Sequence, residues 1–387
     1  MSVITLPAGL KMPAGCTIGQ QRYDLTESSD STGSQAARLL GPPRWQMSLR
    51  SVDALTLAEA GLWEAMILQL RGRVNHLAMY DPVRSAPAGT LRGAPTLNAT
   101  ASAGASSIVL AGVRNSRNLL TQTRAFGGTA WTAVNGCTVT ANTATAPDGT
   151  VTADTLTDAN ASANATMRQA VTVADDTAAY TGSVFLLKTT GGTSPTVLLQ
   201  LVFVGGSGAA SQLRVDTDAG TVLAGSGNVV SYSANWWRVD TSVANDASGN
   251  TSLRFEAYPA INAHGLGGSN VATTGSCTAW GAQLELGSSV SAYEGATLQP
   301  GDWLQLGSGV GTSQLVKVVA AAAEAADGTM TVTFEPPLRT GFSAGTAVTW
   351  DKPLAYFKQT SAPQWSYRLG NTRKAGGYAI DLLESWT

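Results

Sequence analysis

Apolar and polar residues alternate with a period of two along much of this 387-residue chain. The pattern is clear at 17–25 and 44–50 near one end, and at 364–369 and 377–386 near the other. Successive side chains of a strand point to opposite faces of a sheet, so this alternation predicts half-buried β-strands. Turn-forming Gly, Asp and Pro residues separate the stretches. The pattern therefore predicts a mainly β protein.

A single segment has the spacing of an amphipathic helix. Thr56 and Glu59 form a capping-box pattern at its start, and Gly72 stands where a C-terminal cap belongs. The apolar residues that recur at helical spacing between them are Leu62, Trp63, Met66, Ile67 and Leu70. Such a stripe predicts packing of the helix against a sheet rather than a cofactor site.

The block 117–296 differs from the rest of the chain. It is rich in Thr, Ala, Gly and Asn, and residues 118–296 hold 6 Lys and Arg against 12 Asp and Glu, net −6, leaving 18 against 14, net +4, elsewhere. Short strands recur about every ten residues in it. They are predicted at 138–141, 167–173, 180–189, 197–204, 212–216, 236–243, 253–258 and 278–286. This spacing predicts a two-sheet sandwich, a jelly roll, whose end strands lie close enough for insertion into a loop.

The remaining residues, 1–116 and 297–387, are expected to form one discontinuous frame domain. It is predicted to be a small β-barrel or sandwich with the single helix, interrupted by the inserted jelly roll at 117–296. The stretches 106–110 and 300–306 are expected to be neighbouring strands of this frame, because the sequence resumes after the block as if nothing had intervened.

Overall composition narrows the function classes. The net charge of −2 gives no basis for recognition of nucleic acid or an anionic membrane. No apolar stretch approaches the ~20 residues that a membrane span requires, and Met1–Gly15 lacks the features of a signal peptide. The chain is therefore expected to be made in the cytoplasm and to stay soluble unless it leaves in a larger assembly.

Few residues point to catalysis, metal binding or a cofactor. His76 and His264 have no neighbouring ligand cluster, and the three cysteines lack metal-ligand spacing. Free buried thiols are expected, with a Cys137–Cys277 bridge left open. Four turn aspartates (Asp175, Asp176, Asp216, Asp218) are expected to cap turns, with a structural Ca²⁺ left open. No catalytic residue, metal or cofactor is therefore assigned.

The block 117–296 holds residues suited to two kinds of glycan chemistry. A glycosidase needs two facing carboxylates, for which Glu256 and Glu285 are candidates, although a surface acid and a satisfied strand-end acid are the favoured interpretation. Sugar binding needs aromatic faces beside polar groups. Adjacent Trp236 and Trp237 must face opposite sides of a sheet, so one is expected in the core and the other at the surface. The predicted carbohydrate-binding candidates are Trp236, Trp237, Tyr232 and Tyr258, whereas Trp131 and Trp280 are expected in the core.

Two resemblances cover nearly all of the chain. In the block 117–296, one set of motifs lies at 118–120, Phe126, Trp131, 146–150, 236–239 and 280–287. On these residues the block resembles the carbohydrate-binding-module-like jelly rolls of bacteriophage tail proteins. In the frame, a second set lies at 300–307, 334–339 and 350–353. On these residues the frame is similar to distal tail proteins of long-tailed siphophages and related prophages.

The second resemblance implies a structural virion protein rather than an enzyme. Such a protein forms a hexameric ring at the tail tip or baseplate, joins the tail tube protein to the tail-tip hub protein, and is assembled in the host cytoplasm. The first resemblance implies a peripheral module that attaches to a host cell-surface glycan. The alternatives are a tail-associated glycan hydrolase that uses carboxylates of the insert, and a module that only decorates the tail.

Overall fold

The computed structural model describes residues 1–10, 15–28, 30–52, 54–189, 196–262, 266, 273–368 and 374–387. Within these ranges the protein is mainly β, with one helix and several sheets. This confirms the predicted fold class. No helix in the described ranges has the length and apolar character needed to cross a membrane.

The strands are numbered in chain order. The first group comprises β1 (Val3–Ile4), β2 (Gly15–Ser28), β3 (Gln35–Arg50), β4 (His76–Met79), β5 (Arg92–Leu97) and β6 (Ser107–Arg114), with helix α1 (Leu57–Leu70) between β3 and β4. The second group comprises β7 (Thr132–Val134), β8 (Thr138–Thr145), β9 (Val151–Asp158), β10 (Thr166–Thr172), β11 (Ala179–Leu187), β12 (Thr196–Val204), β13 (Ala210–Asp216), β14 (Thr221–Gly225), β15 (Asn228–Ser231), β16 (Trp236–Ala244), β17 (Ser252–Tyr258) and β18 (Gly275–Leu286). The third group comprises β19 (Thr297–Leu298), β20 (Trp303–Gly307), β21 (Ser313–Val318), β22 (Ala322–Ala323), β23 (Met330–Glu335), β24 (Val348–Thr349), β25 (Ala355–Gln359), β26 (Gln364–Arg368) and β27 (Lys374–Glu384).

The first sheet combines strands from both ends of the chain in the order β1-β4-β25-β27-β3-β2, and β26 also pairs with β27. Helix α1 covers one of its faces, where Trp63, Met66 and Leu70 share a core with Met47 and Phe357. The predicted capping box is present, because Thr56 and Glu59 each accept a hydrogen bond from the other's backbone N–H, at 3.3 and 2.9 Å.

The second sheet has the order β24-β20-β21-β23-β6-β5. It nearly closes into a barrel, because Thr96 of β5 bridges to Ala347 beside β24. Its interior is apolar and has its own core cluster. The expectation that 106–110 and 300–306 pair directly was wrong, since β21 and β23 lie between β6 and β20. Short connections favour pairing of consecutive strands, so β20 pairs with β21, whereas β6 pairs with β5 and β23.

Residues of 117–296 form two facing sheets, β14-β13-β12-β17-β10-β7 and β15-β16-β11-β18-β9-β8. Consecutive long strands β9, β10, β11 and β12 alternate between the sheets, and β18 and β17 lie between the members of each pair, which is the order of a jelly roll. Apolar side chains of both sheets form one core. The sequence pattern missed β9, because its buried positions include Asp154 and Asp158 beside Ala153 and Leu156, so apolar and polar residues do not alternate along it.

The chain enters and leaves the jelly roll at adjacent points. Asn115 Nδ2 donates to the carbonyl of Glu294 at 2.5 Å, and Asn118 Nδ2 donates to the carbonyl of Ala282 at 3.0 Å. The Ala296 N–H then donates to a carboxylate oxygen of Glu324, close to the barrel strands. These contacts hold the two connecting segments together at one side of the sandwich.

Candidate functional site

The two adjacent tryptophans of β16 face opposite sides of the sheet. Trp237 packs against the sandwich core, whereas Trp236 belongs to a separate cluster with Phe185 and Trp280 on the outer face. The outward residue is nevertheless 3% exposed, and its Nε1 donates to the carbonyl of Thr145 at 3.2 Å. The prediction that the outward tryptophan meets solvent was wrong, because other aromatic side chains and the β8 edge cover that face.

Trp237 does not offer an open ring either. Its Nε1 donates to the carbonyl of Thr217 at 2.9 Å, and Lys188 Nζ lies 4.0 Å from the ring centroid. Gly220 comes so close that a Cβ there would lie 2.3 Å from the ring. These contacts hold the half-buried ring at the end of the sandwich, in a packing role.

Tyr258 lies on the outer face of the other sheet and is 8% exposed. It packs with Leu198 and Ile261, and its hydroxyl donates to Glu256 Oε2 at 2.8 Å. Burial and the neighbouring carboxylate raise the pKa of this phenol, so it stays protonated. A ring covered in this way gives a sugar no stacking surface.

Tyr232 differs from the other three predicted residues. It follows β15 directly and is 55% exposed. Its ring meets Phe185 edge to face, with centroids 4.8 Å apart and an interplanar angle of 75°. Of the four candidates, this residue alone combines an aromatic ring with a largely open surface.

Tyr232 lines a pocket of about 230 Å³ on the outer face of the sheet that contains β11 and β18. We call it the aromatic pocket. Its lining residues are Arg124, Pro147, Asp148, Phe185, Tyr232, Trp280, Tyr293 and Gly295. They come from the entry segment, the β8–β9 turn, three strand regions and the exit segment of the jelly roll.

Aromatic rings form one wall of the aromatic pocket. Trp280 lies 5.5 Å from Phe185 and 4.7 Å from Tyr293, measured between ring centroids. Phe185 and Trp280 are almost fully buried, whereas Tyr293 is half-buried. A bulge at Gly281, where φ is +63°, lets β18 approach Phe185 closely; a Cβ there would lie 3.1 Å from that ring.

A charged pair forms the polar part of the aromatic pocket. Arg124 Nη1 lies 3.5 Å from Asp148 Oδ2, beyond the usual length of a charge-assisted hydrogen bond. Arg124 is held from its other amino group, because Nη2 donates to the carbonyls of Glu324 and Ala325. Asp148 Oδ1 accepts from the backbone and hydroxyl of Thr150. Arg124 Nη1 and Asp148 Oδ2 therefore keep hydrogen-bonding capacity for a ligand.

Tyr293 closes the aromatic pocket from the exit segment. Its hydroxyl and Thr123 Oγ1 are 2.5 Å apart. Burial, together with the nearby Glu324 carboxyl, raises the pKa of Tyr293, so this hydroxyl stays neutral. No sequence pattern pointed to Arg124, Phe185 or Tyr293 as site residues, and Asp148 lay only within the stretch 146–150 that carries the first resemblance.

The two candidate glycosidase carboxylates lie far apart in the architecture. Glu256 stands between core-facing Phe255 and Ala257 of β17, and Glu285 follows core-facing Leu284 of β18. Since neighbouring strand residues face opposite ways, each carboxylate points outward from a different sheet. Ser291 donates to both oxygens of Glu285, at 2.5 and 2.9 Å. Glu256 and Glu285 cannot flank one glycosidic bond as a pair.

The structure describes His76 and the cysteines among the remaining chemical candidates. His76 Nε2 lies 3.0 Å from the carbonyl of Thr387, and burial lowers the pKa of its imidazole. His264 lies outside the described residues. Cys137 and Cys277 are free thiols, and burial raises their pKa values to about 11 and about 12. In the part of the chain that the structure describes, no three His, Cys, Asp or Glu side chains are grouped to hold a metal.

The outer part of the β2–β3 hairpin forms a second candidate surface, one suited to contact with another protein chain. Strands β2 and β3 pair along almost their full length, but β27 pairs with β3 only between Gln46 and Arg50. Beyond that point, residues 21–28 and 35–44 pair only with each other among the described strands. We call this two-stranded ribbon the β2–β3 arm. Large apolar side chains are exposed on it, including Leu25 at 44% and Leu40 at 64%.

Comparisons with known proteins identify no family for this chain. No family model and no curated protein matches this chain. Among solved structures, the chain is similar to the enzymatically active domain of tailspike protein 4 of bacteriophage CBA120, with 12% sequence identity and a TM-score of 0.28. The alignment covers 44% of this chain and 22% of that one, so the chain spans about a fifth of this neighbour's length. At this level the similarity carries no conclusion about function.

Proposed function

We propose that this chain is a structural subunit of a long-tailed bacteriophage virion. In this proposal the frame forms a ring at the distal tail that joins the tail tube protein to the tail-tip hub protein. The segment 117–296 is an inserted peripheral module that attaches to a host-surface saccharide. The resemblances in the sequence motivate the assignment, and the β2–β3 arm is the observation that supports it most directly.

The β2–β3 arm is expected to be only marginally stable in an isolated molecule. A two-stranded ribbon is marginally stable in water, and each of its outer edges carries unpaired backbone N–H and C=O groups. The exposed side chains of Leu25 and Leu40 add apolar surface that a neighbouring subunit would bury. A contact between an arm and a different surface of the next copy is head-to-tail, and such contacts generate rings when the rotation closes.

Shortening the arm tests this role. We expect the full chain to form a closed oligomer, with six copies implied by the resemblance. A variant that joins Gln21 to Arg44 through a short Gly-Ser turn should be monomeric, because these residues are paired in register. The measurement is native mass spectrometry with negative-stain imaging. A monomeric full chain, or a shortened variant that still forms the same oligomer, would contradict the proposal.

A point substitution gives a milder version of the test. Leu40→Asp places a charge on the arm, whereas Val83→Asp places one on an exposed loop outside it, at 86% exposure. Both residues lie at the surface, so neither change should alter the melting temperature much. Only Leu40→Asp should shift the oligomer towards monomer.

The proposed saccharide-binding role is supported by the aromatic pocket. Sugar rings present C–H faces that pack on aromatic rings and hydroxyls that bond to carboxylate and guanidinium groups. Tyr232, Arg124 and Asp148 supply these groups in one place. Binding of the purified protein to host envelope fractions, compared with turnover of the same material, tests attachment against hydrolysis.

A further inference from the structure

We propose that the aromatic pocket binds one neutral pyranose ring, held between Tyr232 and the Arg124–Asp148 pair. This inference rests on the proposed saccharide-binding role and specifies its site and ligand class. It moves the site away from Trp236, Trp237 and Tyr258, whose rings are covered. The proposed site combines Tyr232 and the β8–β9 turn with residues of the entry and exit segments of the jelly roll.

Tyr232 provides the aromatic surface of the proposed site. Its ring and that of Phe185 meet at 75°, so they do not stack on each other, and 55% of Tyr232 remains exposed. Phe185 is itself 1% exposed and packs on Trp280, which fixes the base on which Tyr232 rests. A supported ring with open surface is what the C–H face of a pyranose requires.

Arg124 and Asp148, two neighbouring groups of opposite charge, provide the polar side of the proposed site. Arg124 Nη1 can donate, and Asp148 Oδ2 can accept, while their 3.5 Å separation leaves both available to a ligand. A hydroxyl both donates and accepts, so adjacent hydroxyls of one sugar can bond to the two groups together. Anchoring of Arg124 through Ala325, at 2.9 Å, and of Asp148 through Thr150 holds the pair in place.

Size and charge define the ligand class. The pocket volume of about 230 Å³ is below the roughly 300–1,000 Å³ of sites for drug-sized ligands, so it accommodates one ring rather than a chain. One cation and one carboxylate line it, and Tyr293 stays neutral, so the lining has no net charge. An anionic sugar would meet the Asp148 carboxylate without a compensating surplus of positive charge.

The experiment uses the full-length protein and ligand-observed NMR with methyl glycosides of glucose, galactose, mannose and N-acetylglucosamine, and with glucuronate as the anionic probe. For ligands of about a dozen non-hydrogen atoms, an affinity on the order of millimolar is expected. Tyr232→Ala and Asp148→Asn should each weaken binding about tenfold. Tyr232→Phe, which keeps the ring, should bind nearly as well as the wild type.

Val230→Ala is the matched control. Val230 lies on the same strand, β15, is also 55% exposed, and does not line the pocket. Loss of binding in Tyr232→Ala and Asp148→Asn, with binding kept in Val230→Ala and all variants folded by circular dichroism, supports the inference. Absence of binding to every neutral probe, stronger binding of glucuronate, or binding unaffected by both pocket changes would overturn it. If the protein still forms rings in that case, the assembly proposal stands and only this site is wrong.

Discussion

Replacement of Trp236 by Ala gives a sharp test of how the outer face of the jelly roll is built. The side chain is 3% exposed and packs in a small cluster with Phe185 and Trp280. Truncation of a buried tryptophan typically costs about 3–5 kcal/mol through lost contacts and the cavity left behind. Since this cluster lies near the surface, water can reach part of the space, and we expect a cost near the lower limit, about 3 kcal/mol.

For a folding unit of this size, about 3 kcal/mol corresponds to a fall in melting temperature of roughly 6–12 °C. Differential scanning calorimetry of the full chain measures it, because removal of a tryptophan compromises a fluorescence assay. Tyr232→Ala is the control, since it contacts the same Phe185 from the exposed side and should cost no more than about 1 kcal/mol. A Trp236→Ala melting temperature within about 2 °C of the wild type, or equal falls in both variants, would refute the assignment of Trp236 to a buried cluster.

Three further predictions concern other parts of the molecule. Burial raises the pKa of Glu324, so the folded protein loses stability as the pH rises above the ordinary value of 4.5 and this buried carboxyl becomes charged. In urea titrations, the stability of Glu324→Gln relative to the wild type should therefore increase between about pH 4 and pH 7. A stability difference between the two proteins that stays constant over this range would contradict the prediction. Gly225 has φ of +92°, and a Cβ there would lie 1.8 Å from the Gln212 carbonyl oxygen, whereas Gly136 has φ of +82° and open space. Gly136→Ala should therefore cost about 1–2 kcal/mol, and Gly225→Ala at least about 1 kcal/mol more, by the same titration. The segment 117–296 expressed alone should show one cooperative melt with a β-type circular dichroism spectrum, because it has its own core and adjacent ends; a broad transition would argue against a separate module.

Local chemistry determined much of the architecture. Period-two alternation and strand spacing located about half of the strands, and the Thr56–Glu59 box located the start of the helix within one residue of Leu57. These signals act over a few residues, through backbone hydrogen bonds and the direction of neighbouring side chains, so they can be recognised in the sequence without a tertiary structure. The even strand spacing of 117–296 likewise indicated a sandwich, because each short strand needs a second sheet to cover its apolar face.

Which surfaces of the strands are open to solvent depends on tertiary packing. Alternation requires that Trp236 and Trp237 face opposite ways. Exposure of the outward Trp236 depends on Phe185 and Trp280, which lie 51 and 44 residues away from it along the chain. The aromatic pocket likewise joins Arg124, Asp148 and Tyr293 across segments that no local pattern connects. The distances between these residues depend on the pairing of the strands, on the bulge in β18 and on the contact between the entry and exit segments of the jelly roll. Long-range packing therefore determines the site, because the coverage of a strand's face depends on what the rest of the chain places over it.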